Sequence, residues 1–284
     1  NKTEDFDSKL MAIANSNGRQ LTPVSTGFVD RGVDFGSYAV KPINKQRVAI
    51  LSGEGVSSLS FGEIWHYFET NINYPSTNIN TDYFERINLD DFDVLIFPSG
   101  SYGRLLSKNN VTKLNSWISS GGTLILIGRA VGSFAGKTGF SIERKKSNTK
   151  EGTNMTPYAK RERESVKNMI TGSIFKTKVD ATHPLAYGYS DTYFTLKLSS
   201  SNYNYLKSGY NVTYIENDVN PVSGFAGVDT KKSLEKSLVF GEESKGRGSV
   251  VYMVDNPLFR SFWENGKLFV ANAIFFLNSD SIKK

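Results

Sequence analysis

The chain has 284 residues and a formal net charge of +6 at pH 7, with 38% hydrophobic, 13% aromatic and 22% charged residues. This composition is typical of a globular protein rather than a disordered or membrane one, and because basic and acidic residues are interleaved we expect no nucleic-acid partner. The absence of cysteine excludes disulfides, thiolate metal sites and thiol nucleophiles.

The first 45 residues are predicted to form a short helix and a short strand. The helix is expected at residues 5–18, where Asn17-Gly18 is a stop signal, and the strand at residues 20–25. The chain begins at Asn1 without an initiator Met or a signal segment, so we expect an excised fragment. Residues 1–45 would then join the chain to an upstream domain.

Strands and helices alternate from Gln46 onward. The predicted strands are nearly continuous runs of Val, Ile and Leu, which is typical of strands buried on both faces in a parallel sheet covered by helices. We therefore predict an α/β fold. The expected strands are residues 47–51, 93–97 and 123–127, and the expected helices are residues 61–70 and 111–119.

A region at about 141–245 is predicted as an insertion in an α/β domain that spans residues 46–278. Residues 141–167 are polar and charged, which favours a long surface loop or lid. Short strands are expected at 173–179, 191–196, 212–215 and 237–240, before the sheet resumes at 249–254 and a helix at 266–277 closes the domain. The longest apolar runs are shorter than the ~20 residues that span a bilayer, so we expect no membrane partner.

Two stretches that follow predicted strands suggest a family. They are Gly128-Arg129-Ala130-Val131-Gly132 and the Asp255-Asn256 pair. This organisation resembles the class I glutamine amidotransferase-like superfamily, a flavodoxin-like sandwich in which a strand ends in a sharp elbow that carries a nucleophilic Cys. The resemblance puts Arg129 in place of that Cys, and Asp255 and Asn256 where the superfamily has its His. Arginine is no nucleophile, so the amidotransferase triad is absent.

A second resemblance covers most of the chain. Residues 25–36, 172–175, 182–189 and 255–263 look like the region that follows the catalytic domain in large bacterial zinc carboxypeptidases of the carboxypeptidase A kind. The resemblance implies a non-catalytic accessory domain without a cofactor, joined to an upstream hydrolase domain that holds zinc. It also implies a secreted, periplasmic or cell-surface location.

A small polar ligand is expected where loops leave the carboxyl ends of the strands. We expect Arg129 at the edge of a crevice there, with Glu54 or Asp255 within salt-bridge reach. A tight turn with a solvated Glu54 is an equally good interpretation of Gly53-Glu54-Gly55. The candidate ligand-binding residues are Glu54, Ser101, Tyr102, Arg129, Asp255, Asn256 and Arg260.

The spacing of His66 and Glu69 matches the H-x-x-E pattern of a carboxypeptidase zinc site, and His183 is the other histidine of the chain. However, His66 lies in the middle of a predicted helix and His183 precedes Pro184 in a predicted turn. A general base and a substrate-binding arginine in their family contexts are not identifiable. We therefore expect no zinc site in this chain.

Three interpretations remain open. The first is an accessory domain that orients or stabilises a zinc peptidase. The second is a small-molecule or carbohydrate binding module that uses the crevice at Glu54, Ser101, Arg129 and Asp255. The third is a hydrolase with a non-thiol mechanism built from the same side chains. A carboxylate with a strongly shifted pKa in a deep pocket would favour the hydrolase.

Overall fold

The structure, a computed structural model, describes residues 3–37, 40, 42–145, 157–217 and 219–277. It divides into two compact units, Asn1–Pro42 and Ile43–Lys284. The junction of residues 1–45 with an upstream domain stays a prediction.

The first unit contains α1 (Phe6–Ser16), which confirms the predicted helix. The strand predicted at residues 20–25 is wrong, because these residues have no regular structure. Pro23 lies in this segment and has no N–H to donate to a sheet, which disfavours a strand there.

The second unit alternates strands and helices. Within the described ranges, no helix is both long and apolar enough to cross a membrane. In chain order its elements are β1 (Val48–Ser52), α2 (Ser58–His66), β2 (Ser76–Asn80), β3 (Val94–Phe97), α3 (Lys108–Ser119), β4 (Thr123–Ile127), α4 (Arg129–Phe134), α5 (Tyr158–Val166), β5 (Ile170–Val179), β6 (Thr192–Lys197), β7 (Tyr210–Ile215), β8 (Pro221–Ala226), α6 (Val228–Leu234), β9 (Ser237–Lys245), β10 (Gly248–Met253) and α7 (Glu264–Phe275).

The described strands form one ten-stranded sheet. One half is parallel, in the order β2-β1-β3-β4-β10. When β10 is counted as the fifth strand, this is the 2-1-3-4-5 order of flavodoxin-like folds. The other half is antiparallel and continues the sheet as β9-β7-β5-β6, with β8 also paired to β5. The α/β class and flavodoxin-like sheet are confirmed, and the strands of the insertion extend that sheet.

The parallel strands bury both faces. Ile50 and Ile96 belong to a core that includes side chains of α2 and α7, whereas Leu51 and Leu95 belong to a second core that includes α3 and α4. Successive residues of a strand point to opposite faces, so continuous apolar runs are required where helices cover both sides. The predicted apolar strands are confirmed for this reason.

Several elements were not predicted. β2 is polar and buries only Ile79, because it is an edge strand with one neighbour. The loop predicted at residues 141–167 contains the helix α5, so that part of the prediction is wrong, and residues 146–156 lie outside the described residues. The short elements α4, α6 and β8 were also missed.

Candidate functional site

The strands β1, β3, β4 and β10 are neighbours in the parallel half of the sheet, so their carboxyl ends meet along one edge. We call the residues that follow them, 53–55, 98–102, 128–129 and 254–256, the carboxyl edge. Ligands of open α/β sheets bind at this kind of edge. Most of the predicted ligand-binding residues therefore lie in one region of the fold.

The turn between β4 and α4 is made at Gly128, whose backbone angles are φ 59° and ψ −122°. Residues with a side chain rarely adopt this conformation. The Gly128 N–H donates to Met253 O at 2.7 Å, which ties the end of β4 to the end of β10. In a nucleophile elbow the reactive residue occupies this strained turn. The turn therefore lies one residue earlier than predicted, and the residue there has no side chain.

Ser99 supports the turn and was not predicted. Its hydroxyl accepts a hydrogen bond from the Arg129 N–H at 3.2 Å, and its own N–H donates to Ser60 Oγ at 2.9 Å. A Cβ atom added at Gly128 would lie 3.0 Å from Ser99 Oγ. Ser99, in the loop after β3, therefore fills the space beside Gly128 where a side chain would lie.

Arg129 is the first residue of α4 and its side chain is exposed. In the described part of the chain, it forms no ion pair with Glu54 or Asp255. Glu54 pairs with Arg104, and Asp255 pairs with Lys197. The expected salt bridge of Arg129 is therefore not formed.

Asp255 is held in a buried ion pair. Lys197 Nζ lies 2.8 Å from Asp255 Oδ1, and Thr195 Oγ1 donates to Asp255 Oδ2 at 2.7 Å. The Lys197 and Asp255 side chains are 1% and 8% exposed. Each carboxylate oxygen of Asp255 therefore already accepts one hydrogen bond from within the protein.

Lys197 reaches Asp255 from a distant strand. In the hydrogen-bonded order of the sheet, β9, β7 and β5 lie between β6 and β10. The direct contact therefore requires the antiparallel half of the sheet to coil back toward the end of β10.

The sequence pattern of β6 does not predict that Lys197 is buried. Tyr193, Thr195 and Lys197 are the buried residues of the strand, whereas Phe194 is 40% exposed. Apolar periodicity favours burial of the face that contains Phe194 and Leu196, which is the opposite face. In the sequence, burial of Lys197 is indicated only by its position on the same face of the strand as Tyr193 and Thr195.

Asn256 and Arg260 meet at Glu63 of α2, which was not predicted. Asn256 Nδ2 donates to Glu63 Oε2 at 2.5 Å, and the Arg260 N–H donates to Glu63 Oε1 at 2.8 Å. Arg260 and Ser261 have φ angles of 49° and 59°, a left-handed conformation that is uncommon for such residues. Glu63 therefore holds a strained turn after β10, and the guanidinium of Arg260 lies over the Phe259 ring.

The loops after β1 and β3 contact each other. Glu54 forms an ion pair with Arg104 in which both side chains are exposed, and the Ser101 N–H donates to Gly55 O at 2.8 Å. Tyr102 is 1% exposed and its hydroxyl donates to Pro98 O at 2.7 Å. Burial raises the pKa of Tyr102. Its position is that of a core residue that fixes the loop.

The histidines lie in different surroundings. His66 is exposed and contacts Thr70 Oγ1, whereas His183 is buried beside Glu242. Among the residues that the structure describes, no group of three or more His, Cys, Asp or Glu side chains is arranged to hold a metal. The expected absence of zinc stays a prediction.

No family model and no curated protein sequence matches the chain. Its fold is similar to that of a protein described as part of a GMP synthase from Thermoplasma acidophilum, with 10% identity, 81% of this chain and 94% of that chain covered, and a TM-score of 0.49. PurLQS from Thermotoga maritima is 14% identical, with 81% of this chain and 98% of that chain covered and a TM-score of 0.49. A glutamine amidotransferase from Thermotoga maritima is 10% identical, with 76% of this chain and 77% of that chain covered and a TM-score of 0.47. At these values the assignment of an amidotransferase-like fold depends on the strand order and elbow of this chain itself.

Replacement of Gly128 by alanine should destabilise the protein. The new Cβ atom meets Ser99 and the backbone conformation becomes strained, so we expect the free energy of unfolding to fall by about 1–3 kcal/mol. The matched control is Gly136→Ala, since Gly136 also has a positive φ of 77° but no atom within 4 Å of the added Cβ. Urea unfolding measures both variants. An equal loss in the two would show that the contact with Ser99 has no effect.

The buried ion pair should behave as a coupled unit. Lys197→Met alone leaves a buried carboxylate without its cation, so we expect the free energy of unfolding to fall by about 3–5 kcal/mol. In the double variant, Lys197→Met with Asp255→Leu, the free energy of unfolding should fall by much less than the sum of the falls in the two single variants.

The exposed pair of Glu54 and Arg104 is the control, and Glu54→Gln should change stability by less than about 1 kcal/mol. Urea unfolding measures all of these variants. If the losses of free energy in the two single variants add up to the loss in the double variant, Lys197 and Asp255 are not coupled.

Proposed function

We propose that this chain is a non-catalytic amidotransferase-like domain that orients or stabilises the peptidase domain of a secreted zinc carboxypeptidase. The observation that carries the non-catalytic part is the elbow, where Gly128 occupies the strained turn and offers no side chain. The chain also has no cysteine, and Asp255 after β10 is occupied by Lys197 and Thr195. Within the described residues, the elbow therefore lacks a nucleophile in contact with a base.

An accessory role is supported by apolar side chains of the first unit that are exposed. Phe28 is 80% exposed, Val24 is 68% exposed, and Ile13 of α1 is 61% exposed. Such exposed apolar side chains provide surface that another protein can cover. In this proposal the partner is the upstream peptidase domain. That domain supplies the zinc and the hydrolase activity, and the location is extracellular, periplasmic or on the cell surface.

A domain that is covalently tethered needs little intrinsic affinity. A short linker holds the partner at an effective concentration near the millimolar range, so even a weak interface is occupied. Loss of the reactive group at the elbow is compatible with this role, because orienting a partner needs surface rather than chemistry.

A second candidate is a module that binds a small polar ligand at the carboxyl edge. It is favoured by the exposure of Glu54, Ser101 and Arg129, which follow three neighbouring strands. Ligand binding at this edge would be compatible with an accessory role.

The isolated chain should release no ammonia from glutamine above a buffer blank. We expect the same for Gly128→Cys, because a thiol at the elbow would still lack a histidine after β10. An authentic glutaminase serves as the positive control. Turnover by the unmodified chain would contradict the non-catalytic part of the proposal, and turnover by Gly128→Cys alone would show that the edge contains a working base.

The accessory role is tested on the full-length product of the gene that encodes this chain. We expect that product to contain a zinc peptidase domain, and we expect deletion of the present chain to lower the melting temperature of that domain or to change its KM for large substrates. A chain with Gly128→Ala is the control for general destabilisation. Equal melting temperatures and kinetics with and without the domain, or the absence of a peptidase domain, would rule out this role and leave the ligand-binding module.

A further inference from the structure

A cavity of about 660 Å³ lies at the other end of the sheet from the carboxyl edge. Its lining includes Gly248 and Ser249, the first residues of β10, and Ser249 is paired with Thr123 at the start of β4. The cavity therefore lies at the amino ends of the central parallel strands. Its volume is within the range of small-molecule sites, roughly 300–1,000 Å³.

His183 lines this cavity in a defined protonation state. Its Nδ1 atom accepts a hydrogen bond from the Leu185 N–H at 3.1 Å, so Nδ1 carries no proton. Burial lowers the pKa of His183, which favours the neutral ring at neutral pH. In a neutral imidazole whose Nδ1 carries no proton, the proton is on Nε2. His183 therefore presents an N–H donor.

Glu242 presents an acceptor next to that donor. Glu242 is 3% exposed, and Ser244 Oγ lies within hydrogen-bond distance of both carboxylate oxygens, 3.1 Å from Oε1 and 3.3 Å from Oε2. A carboxylate oxygen can accept a second hydrogen bond, so Oε2 can still accept one from a ligand. Burial raises the pKa of Glu242. Glu242 Oε2 lies 3.9 Å from His183 Nε2, which is too far for a direct hydrogen bond. A donor and an acceptor thus face the same cavity with a gap between them.

We propose that this cavity binds a neutral polyhydroxylated ligand of the sugar class, with one hydroxyl group bridging His183 and Glu242. A hydroxyl oxygen accepts from the His183 Nε2–H and donates its own proton to Glu242. A ligand ammonium group has donors only, so it would meet the His183 N–H without an acceptor. A donor beside an acceptor therefore favours a hydroxyl group over an ammonium group.

The other lining residues fit the same class of ligand. The Tyr210 ring is 54% exposed and its centroid lies 4.9 Å from that of His183, so it offers an aromatic face to the C–H groups of a sugar. Asp180 and Glu242 place two carboxyl groups in the lining, and Arg247, which also lines the cavity, donates to Ser120 O. This balance disfavours an anionic ligand.

The proposal is tested by saturation-transfer NMR of the chain with glucose, galactose, mannose and N-acetylglucosamine, and with glucosamine as the ammonium analogue. Glu242→Leu removes the acceptor and Tyr210→Ala removes the aromatic face. Glu162→Leu, at an exposed position of α5, is the matched control. Thermal unfolding of each variant checks that it is folded.

We expect at least one neutral sugar to give a saturable signal, and its Kd to rise at least about tenfold in Glu242→Leu and in Tyr210→Ala but not in Glu162→Leu. Glucosamine should bind more weakly than glucose. The proposal is wrong if none of the four neutral sugars binds, if glucosamine binds more tightly than all of them, or if the affinity is lost in Arg129→Ala and kept in the cavity variants. If Glu242→Leu is unfolded, Tyr210→Ala decides the result.

Discussion

The buried ion pair between Lys197 and Asp255 connects the two halves of the sheet. Lys197 belongs to the antiparallel half and Asp255 follows the last parallel strand, and the pair is almost completely removed from solvent. Two charges are stable at such a depth only when each remains paired and hydrogen-bonded, so the interaction limits how the antiparallel strands can coil over the parallel ones. The contact thus couples the insertion to the edge where an α/β protein of this type would have its chemistry.

At the same edge, most of the described polar side chains hold the backbone or one another. Gly128 occupies the strained turn after β4, and Ser99 fills the space beside it. Asp255 is engaged with Lys197 and Thr195, while Asn256 and the turn at Arg260 are held by Glu63. These hydrogen bonds and the ion pair stabilise the backbone of the carboxyl edge. The polar groups left exposed there include Glu54 and Arg129.

The opposite end of the sheet has a different character. At the carboxyl edge, the buried charges satisfy one another, whereas in the cavity His183 and Glu242 lie near each other without a direct hydrogen bond. In the proposal above, a ligand hydroxyl adds a hydrogen bond to each of these two groups, and that gain contributes to its affinity. The cavity is formed largely by residues of the insertion and of the β9–β10 hairpin, so it depends on the way in which this chain extends the parallel sheet.

The sequence by itself determined the parallel half of the fold. Runs such as Val94–Phe97 and Thr123–Ile127 are almost entirely apolar, and only strands covered on both faces require this, so the α/β class followed from the runs. The absence of cysteine likewise excluded a thiol nucleophile.

The tertiary structure decided the arrangement of the candidate site. The turn at Gly128 rather than Arg129 depends on backbone angles, which a glycine permits but does not dictate. The partners of Asp255, and the role of Glu63, come from elements far apart in sequence. Lys197 in particular is buried on the face of β6 that apolar periodicity would assign to solvent, because a coiled sheet can bury a charged side chain wherever a distant strand supplies the opposite charge.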